Sequence, residues 1–277
     1  MARRVPSRRD YRLTGREVNA FIEKFLRIPD GPYAGRPLIL APWQKQEIHR
    51  IYDGQVRRAI ISTGKKNGKT GLCAALLLNH LVGPSARNHR NARLFSSAMS
   101  RDQAALTFDA ARRMILWNPD LRQAIAIKES AKVLRNDELG IEYKALSSEA
   151  HRAQGLNLML HIADELGEVV GPHSSLFEAL ELSTAAQRDV LTVVISTQAA
   201  SDGDLLSTLI DDAIAGTDPR TIVSLYSAPK DADPFAEATI RLANPSYDTL
   251  MNSASCWPWP LPPVGFRRVR RLTAATV

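Results

Sequence analysis

The sequence predicts an α/β fold with a mainly parallel central sheet flanked by helices, on three observations. Short apolar, β-branched stretches alternate with longer stretches of helical period between residues 59 and 226, the pattern that builds parallel sheets through helical crossovers. The first of these strands, 59–62, runs directly into Thr63-Gly64-Lys65-Lys66-Asn67-Gly68-Lys69-Thr70, a basic, glycine-containing turn that opens a helix. Two later strands end in polar residues, Asp164-Glu165 and Ser196-Thr197-Gln198, and ligands of parallel sheets gather at the carboxyl ends of the strands.

The elements follow in order. Thr14-Gly15-Arg16-Glu17 begins a helix with Val18, Phe21, Ile22, Phe25 and Leu26 on one face, ended by Pro29-Asp30-Gly31-Pro32. Residues 35–42 form an extended link, and Pro42 opens a second helix that Asp53-Gly54 closes. After the strand at 59–62, residues 72–78 are apolar on every side, which predicts a buried helix. Residues 84–91 read as a polar loop, 92–98 as a second strand and 101–117 as an amphipathic helix that stops at Asn118-Pro119. Residues 133–135 and 141–146 alternate around 137–140, the pattern of a hairpin. Strands are expected at 156–163, 190–196 and 221–226, with helices at 174–183 and 204–215. From 253 to 263 the chain is rich in Pro and Trp and has no periodic pattern.

Composition bounds the function. The 277 residues are 44% hydrophobic, ordinary for a globular chain. No apolar run reaches the ~20 residues that span a bilayer. Met1-Ala2-Arg3-Arg4-Val5-Pro6 leads into no apolar segment, so no secretory signal is expected. Cys73 and Cys256 make neither a disulfide framework nor a metal site, which fits a reducing, cytoplasmic setting. The net charge of +7 resides at the ends: six arginines against one aspartate in residues 1–16, and four arginines with no acid in 249–277. Such ends suit contact with a polyanion such as DNA, or serve as solubilising tails.

The turn at 63–70 has the layout of a phosphate-binding loop. Backbone N–H groups of Gly64, Lys66, Asn67 and Gly68 can wrap phosphates, and the N-terminus of the following helix adds partial positive charge. Lys69 would reach the terminal phosphates and the Thr70 hydroxyl would bind Mg²⁺. The usual pattern places glycine at 63, where this chain has Thr63; a plain basic strand-to-helix turn is the other reading. Asp164 would complete the Mg²⁺ shell and Glu165 would polarise the attacking water. The alternative is an acid pair on a surface loop. Thr197 or Gln198 could touch the γ-phosphate, or merely cap a strand. His161 reads as a core histidine without a role.

A loop, an acid pair and a polar sensor, each after an apolar strand, suit the P-loop ATPases with an additional strand and a catalytic glutamate. Within that class the chain resembles the ATPase half of the large terminase subunit of tailed bacteriophages, from about residue 38 to 247. The resemblance rests on Ala41-Pro42-Trp43-Gln44, on Lys65-Lys66-Asn67-Gly68-Lys69-Thr70, on Gln154-Gly155-Leu156-Asn157 followed by Ile162-Ala163-Asp164-Glu165, on Ile195-Ser196-Thr197-Gln198, and on Ala243-Asn244-Pro245-Ser246. It implies that Gln44 reads the base, that Lys65 stands where the family often has a catalytic arginine, and that the loop's missing glycine is a family trait. It also implies ATP-driven movement of double-stranded DNA into a procapsid, in the cytoplasm of a bacterial host. The motor would be a homo-oligomeric ring on the portal protein, served by a small terminase subunit, with an arginine supplied in trans. Arg152 is the candidate for that arginine.

The expected organisation is a basic arm and lead-in helix at 1–37, the ATPase domain at 38–230, and a linker with an unstructured, truncated or frame-shifted tail at 231–277. Family members continue into a nuclease domain with metal-binding acids; this chain has no acid after Asp248, so no nuclease activity is expected of it. Two alternatives stand beside the motor: a helicase-like DNA-dependent ATPase, and an inactive DNA-binding prophage remnant.

Overall fold

A computed structural model of the chain describes residues 13–147, 157–185, 190–229 and 231–249. Its centre is one eight-stranded sheet. The strands are β1 (Arg58–Ser62), β2 (Arg93–Ala98), β3 (Ala126–Lys128), β4 (Val133–Asn136), β5 (Ile141–Ser147), β6 (Leu158–Asp164), β7 (Leu191–Ser196) and β8 (Thr221–Leu225). They lie in the order β3-β4-β5-β2-β6-β7-β1-β8. From β5 to β8 all neighbours are parallel, and β3, β4 and β5 form an antiparallel meander at one end.

Alternation along the strands decides what each face meets. Ala59 and Ile61 of β1 join the larger core cluster on one side, and Ile60 between them joins the smaller one on the other. The larger cluster is built with α1 (Gly15–Phe25), α2 (Pro42–Asp53), α3 (Lys69–Leu81) and α4 (Arg101–Leu116). The opposite face is covered by α6 (Ser175–Ala185) and α7 (Leu205–Ile214), through Phe177, Leu206 and Ile210. The short α5 (Pro119–Ala124) and α8 (Glu237–Ala243) complete the set. Helix α3, apolar all round in the sequence, is buried from Leu72 to Leu81. Among the described residues no helix is long and apolar enough to cross a membrane.

Local chemistry accounts for the boundaries. Thr14 caps α1 in a reciprocal box with Glu17: the Glu17 N–H donates to Thr14 Oγ1 at 3.3 Å and the Thr14 N–H to Glu17 Oε2 at 3.1 Å. Pro42 occupies the first turn of α2. The pair Asn118-Pro119 ends α4 as expected but also starts α5, with Asn118 accepting from the N–H groups of Asp120 and Leu121.

Several segments differ from expectation, α5 and the edge strand β3 among them. The polar loop at 84–91 contains a 3₁₀ turn, Pro84–Asn88, held by Asn79, which donates to Ser85 Oγ at 2.7 Å. The lead-in helix α1 is part of the core, with Val18 and Ile22 fully buried. Residues 231–249, expected as a linker, include α8 and a turn that meets the phosphate loop; the tail expected from about 253 lies outside the described residues.

Candidate nucleotide site

The register of the sheet brings the polar strand ends together. Ser62 of β1 lies opposite Ser196 of β7, and Asp164 of β6 lies opposite Ile195. The loop after β1, the acid pair after β6 and Thr197 after β7 therefore share one edge, with β7 interposed between the loop strand and the acid strand. The strand expected as the additional one, β2, lies beyond β6.

The loop is tightly shaped. Gly68 precedes α3 in the left-handed region (φ 78°) and Lys66 is left-handed too (φ 66°); glycine takes this conformation without steric cost. Lys69 is buried at the first position of α3, and its Nζ donates to Gly64 O at 2.9 Å and Thr63 O at 3.3 Å. It stands 3.8 Å from Glu165 Oε1. Burial lowers its pKa, while Glu165 and Asp164 act in the opposite direction. Thr70 is half-buried in the first turn of α3, and Lys65 and Lys66 are exposed.

The acids differ in setting. Asp164 ends β6 with only 6% exposure. Burial, and then the adjacent Glu165, push it up to about 6 against the pull of Lys69. Glu165 is itself left-handed (φ 52°), a conformation that costs a non-glycine residue roughly 1 kcal/mol or more and concentrates at functional sites. Its N–H donates to Ile195 O at 3.0 Å. Its Oε2 accepts from the N–H and hydroxyl of Thr197 at 3.4 and 3.3 Å. Thr197 thus lies against the glutamate, while Gln198 is exposed beside it.

Not every candidate side chain faces the cleft. Gln44 is buried, and its Oε1 accepts from the Ala41 N–H at 2.9 Å, capping α2. Asn67 is wholly buried, and its amide is bonded inward, to Gly64 O, Lys65 O and Asn244 Oδ1. Arg152, Gln154, Gly155 and Leu156 lie outside the described residues. His161, given no role from sequence, is fully buried, paired with Ser97 through Nε2 at 2.8 Å. The residues missed as parts of the site are Asn244 and Ser246. The local signal is the Ala243-Asn244-Pro245-Ser246 stretch itself, which carries part of the family resemblance but gives no sign of contact with the loop.

A parallel sheet carrying a phosphate loop after one strand and paired carboxylates after the next strand but one defines a P-loop-type α/β protein. The comparisons narrow that class. The model of the family "Terminase large subunit, ATPase domain" matches residues 42–213. The chain is 44% identical over 237 residues to the large terminase subunit of Enterobacteria phage HK97, covering 85% of this chain and 47% of that protein. The crystal structure of the HK97 bacteriophage large terminase matches with a TM-score of 0.82 at 41% identity, over 88% of this chain and 50% of that one. The chain belongs to the terminase large subunit ATPase-domain family, and it spans about half the length of the relatives it matches.

Proposed function

We propose that this chain hydrolyses ATP and acts as the motor half of a phage terminase large subunit, driving double-stranded DNA into a procapsid. The observation that carries the reading is the meeting of Lys69, Asp164 and Glu165 at one sheet edge, with Nζ of Lys69 3.8 Å from the Glu165 carboxylate. Family membership supplies the substrate class.

Thr70 and Asp164 offer the hard oxygen donors that suit Mg²⁺. Burial and the adjacent Glu165 raise Asp164, and a dication bound there would favour its charged form. When bound, the ion supplies neutralisation of charge on the phosphate oxygens. The chain's own residues do the rest. Lys69 exchanges the carbonyls of Thr63 and Gly64 for phosphate oxygens, while the N-terminus of α3 and the N–H groups of Lys66, Asn67 and Gly68 are offered to the anion; the Gly64 N–H, expected among them, is taken by the Ala243 carbonyl at 3.0 Å. Glu165 orients a water and takes its proton as the water oxygen bonds to the γ-phosphorus and the bridge to the β-phosphate breaks, releasing ADP and phosphate. Thr197 aims Glu165, and Gln198 stands next to it to sense the departing phosphate. Lys65 and, from a neighbouring copy in a ring, Arg152 add positive charge against the transition state. Gln44, whose Oε1 caps α2, is the residue that the family resemblance assigns to the base.

Double-stranded DNA, the portal protein, a small terminase subunit and further copies of the chain are the partners of this reading. It is tested by ATP turnover with double-stranded DNA or with single strands, each with and without a portal ring. Stimulation by the duplex and the portal supports a packaging motor; stimulation by single strands alone points to a helicase-like ATPase.

A further inference from the structure

The phosphate loop is braced by a turn some 180 residues downstream. Helix α8 ends at Ala243, whose carbonyl accepts from the Gly64 N–H at 3.0 Å and from the Thr63 hydroxyl at 3.3 Å. Asn244 accepts from Asn67 Nδ2 at 2.8 Å, while its own amide donates to Ile240 O at 2.9 Å. The Ser246 N–H donates to Asn67 Oδ1 at 3.0 Å, and its hydroxyl donates to Asn67 O at 3.2 Å. Trp43 of α2 closes the chain of bonds, its Nε1 donating to Ser246 Oγ at 2.7 Å.

Three features make this more than a surface contact. Asn67 and Ser246 are fully buried, so the bonds of Ser246 to Asn67 and to Trp43 are shielded from competition by water. The amide of Asn67 has oxygens on its Nδ2 side and an N–H on its Oδ1 side, so one orientation alone satisfies it. The position where a phosphate loop ordinarily has its first glycine is Thr63, and the Thr63 hydroxyl and the next N–H converge on the Ala243 carbonyl. Gly64 has no room for a side chain, since a Cβ there would stand 2.3 Å from Asn244 Oδ1.

We infer that Asn67, Asn244 and Ser246 are positioning residues for nucleotide binding: the 243–246 turn holds the first half of the loop in its phosphate-accepting shape. This rests on the reading that the loop binds ATP. Asn244, Ser246 and the side chain of Asn67 need not touch the nucleotide; they act through Gly64, Lys65 and the carbonyls that hold Lys69.

The test is steady-state ATP turnover, together with titration of a fluorescent ATP analogue with Mg²⁺, on the full chain. The variants are Asn244→Ala, Ser246→Ala, Asn67→Ala, the double Asn67→Ala/Asn244→Ala, and Lys69→Ala, with thermal unfolding recorded for each. The brace predicts that Asn244→Ala and Ser246→Ala raise KM and the analogue's Kd about tenfold with a much smaller fall in kcat. The double variant should bind no worse than Asn67→Ala alone, because the two amides share one bond. A role in folding alone lowers Tm and leaves KM where it was. Asn244 is only half-buried, so its variant keeps the test open if Ser246→Ala fails to fold. Unchanged KM and Kd in both single variants, with binding lost in Lys69→Ala, would overturn the brace and leave the nucleotide site intact. Wild-type analogue binding that is indifferent to Lys69→Ala would remove both.

Discussion

Glu165 and Thr197 are locked together across the gap between β6 and β7: both the N–H and the hydroxyl of Thr197 point at one oxygen of the glutamate, at 3.4 and 3.3 Å. The left-handed backbone of Glu165 sets its carboxylate towards Thr197 on one side and Lys69 on the other. In the proposed reading Glu165 is the general base, and such a base works only if it is aimed before the water arrives.

Thr197→Ala removes the hydroxyl and leaves the N–H. The expected result is a fall in kcat of roughly tenfold, the size of one charge-assisted hydrogen bond, with KM for ATP almost unchanged. Thr197→Ser should recover most of the loss. Steady-state kinetics on the three proteins decides the matter.

Gly64 offers a suppressor experiment. Its φ is not left-handed, so alanine meets no backbone conflict there, only the Asn244 side chain and the Ala243 carbonyl. Gly64→Ala alone should weaken ATP binding strongly. Adding Asn244→Ala removes the atom that the new methyl strikes, and the double variant should return close to the affinity of Asn244→Ala alone. A double variant no better than Gly64→Ala would show that the methyl acts on the nucleotide itself.

The contrast between Gly64 and Asn244 also shows what could be read in advance. Strand β1, the loop and α3 were legible because all the relevant contacts are local: an apolar strand, a basic glycine turn and a helix of uniformly apolar residues. The acid pair and Thr197 were legible because a parallel sheet carries every strand end to one edge, whatever the distance in sequence. Asn244 and Ser246 were not, because a turn that packs on a loop 180 residues away leaves no period in either segment. The same limit concealed the part played by the Asn67 side chain, since the sequence points only to its backbone N–H as a phosphate ligand. Helix α5 was hidden by its own start signal, since Asn118-Pro119 serves equally as the stop of α4.

Glu47 fastens α2 beside this site. It is 2% exposed and accepts from the hydroxyls of Ser224 at 2.7 Å and Tyr226 at 2.8 Å, with Arg50 at its edge. Tyr226 in turn packs edge-on against Trp43. Glu47→Ala should cost about 2–3 kcal/mol of stability, from loss of the buried acceptor that serves the Ser224 hydroxyl, the half-buried Tyr226 hydroxyl and Arg50. Glu47→Gln, which can still accept from one of them, should cost roughly half. Urea unfolding of the three proteins measures the difference.

Two buried histidines contribute to the loss of stability in acid. Burial pushes His80 and His161 each down to about 4. The unfolded chain protonates histidine near ~6.5, so between that value and about 4 the unfolded state binds more protons than the native one. Stability from these residues is fully present above ~6.5 and is lost as pH falls towards 4. At pH 5, replacing either histidine by glutamine should reduce the proton uptake on unfolding by about one. The check is the slope of unfolding free energy against pH.

The most direct measurement is ATP hydrolysis by the purified chain with Mg²⁺, beside Glu165→Gln and Lys69→Ala. Glu165→Gln keeps the shape and the Thr197 contacts but cannot take a proton, so it should bind ATP normally and lose roughly a hundredfold or more in kcat. Lys69→Ala should lose ATP binding itself. Turnover that survives Glu165→Gln undiminished would contradict the assignment of this sheet edge as the hydrolytic site.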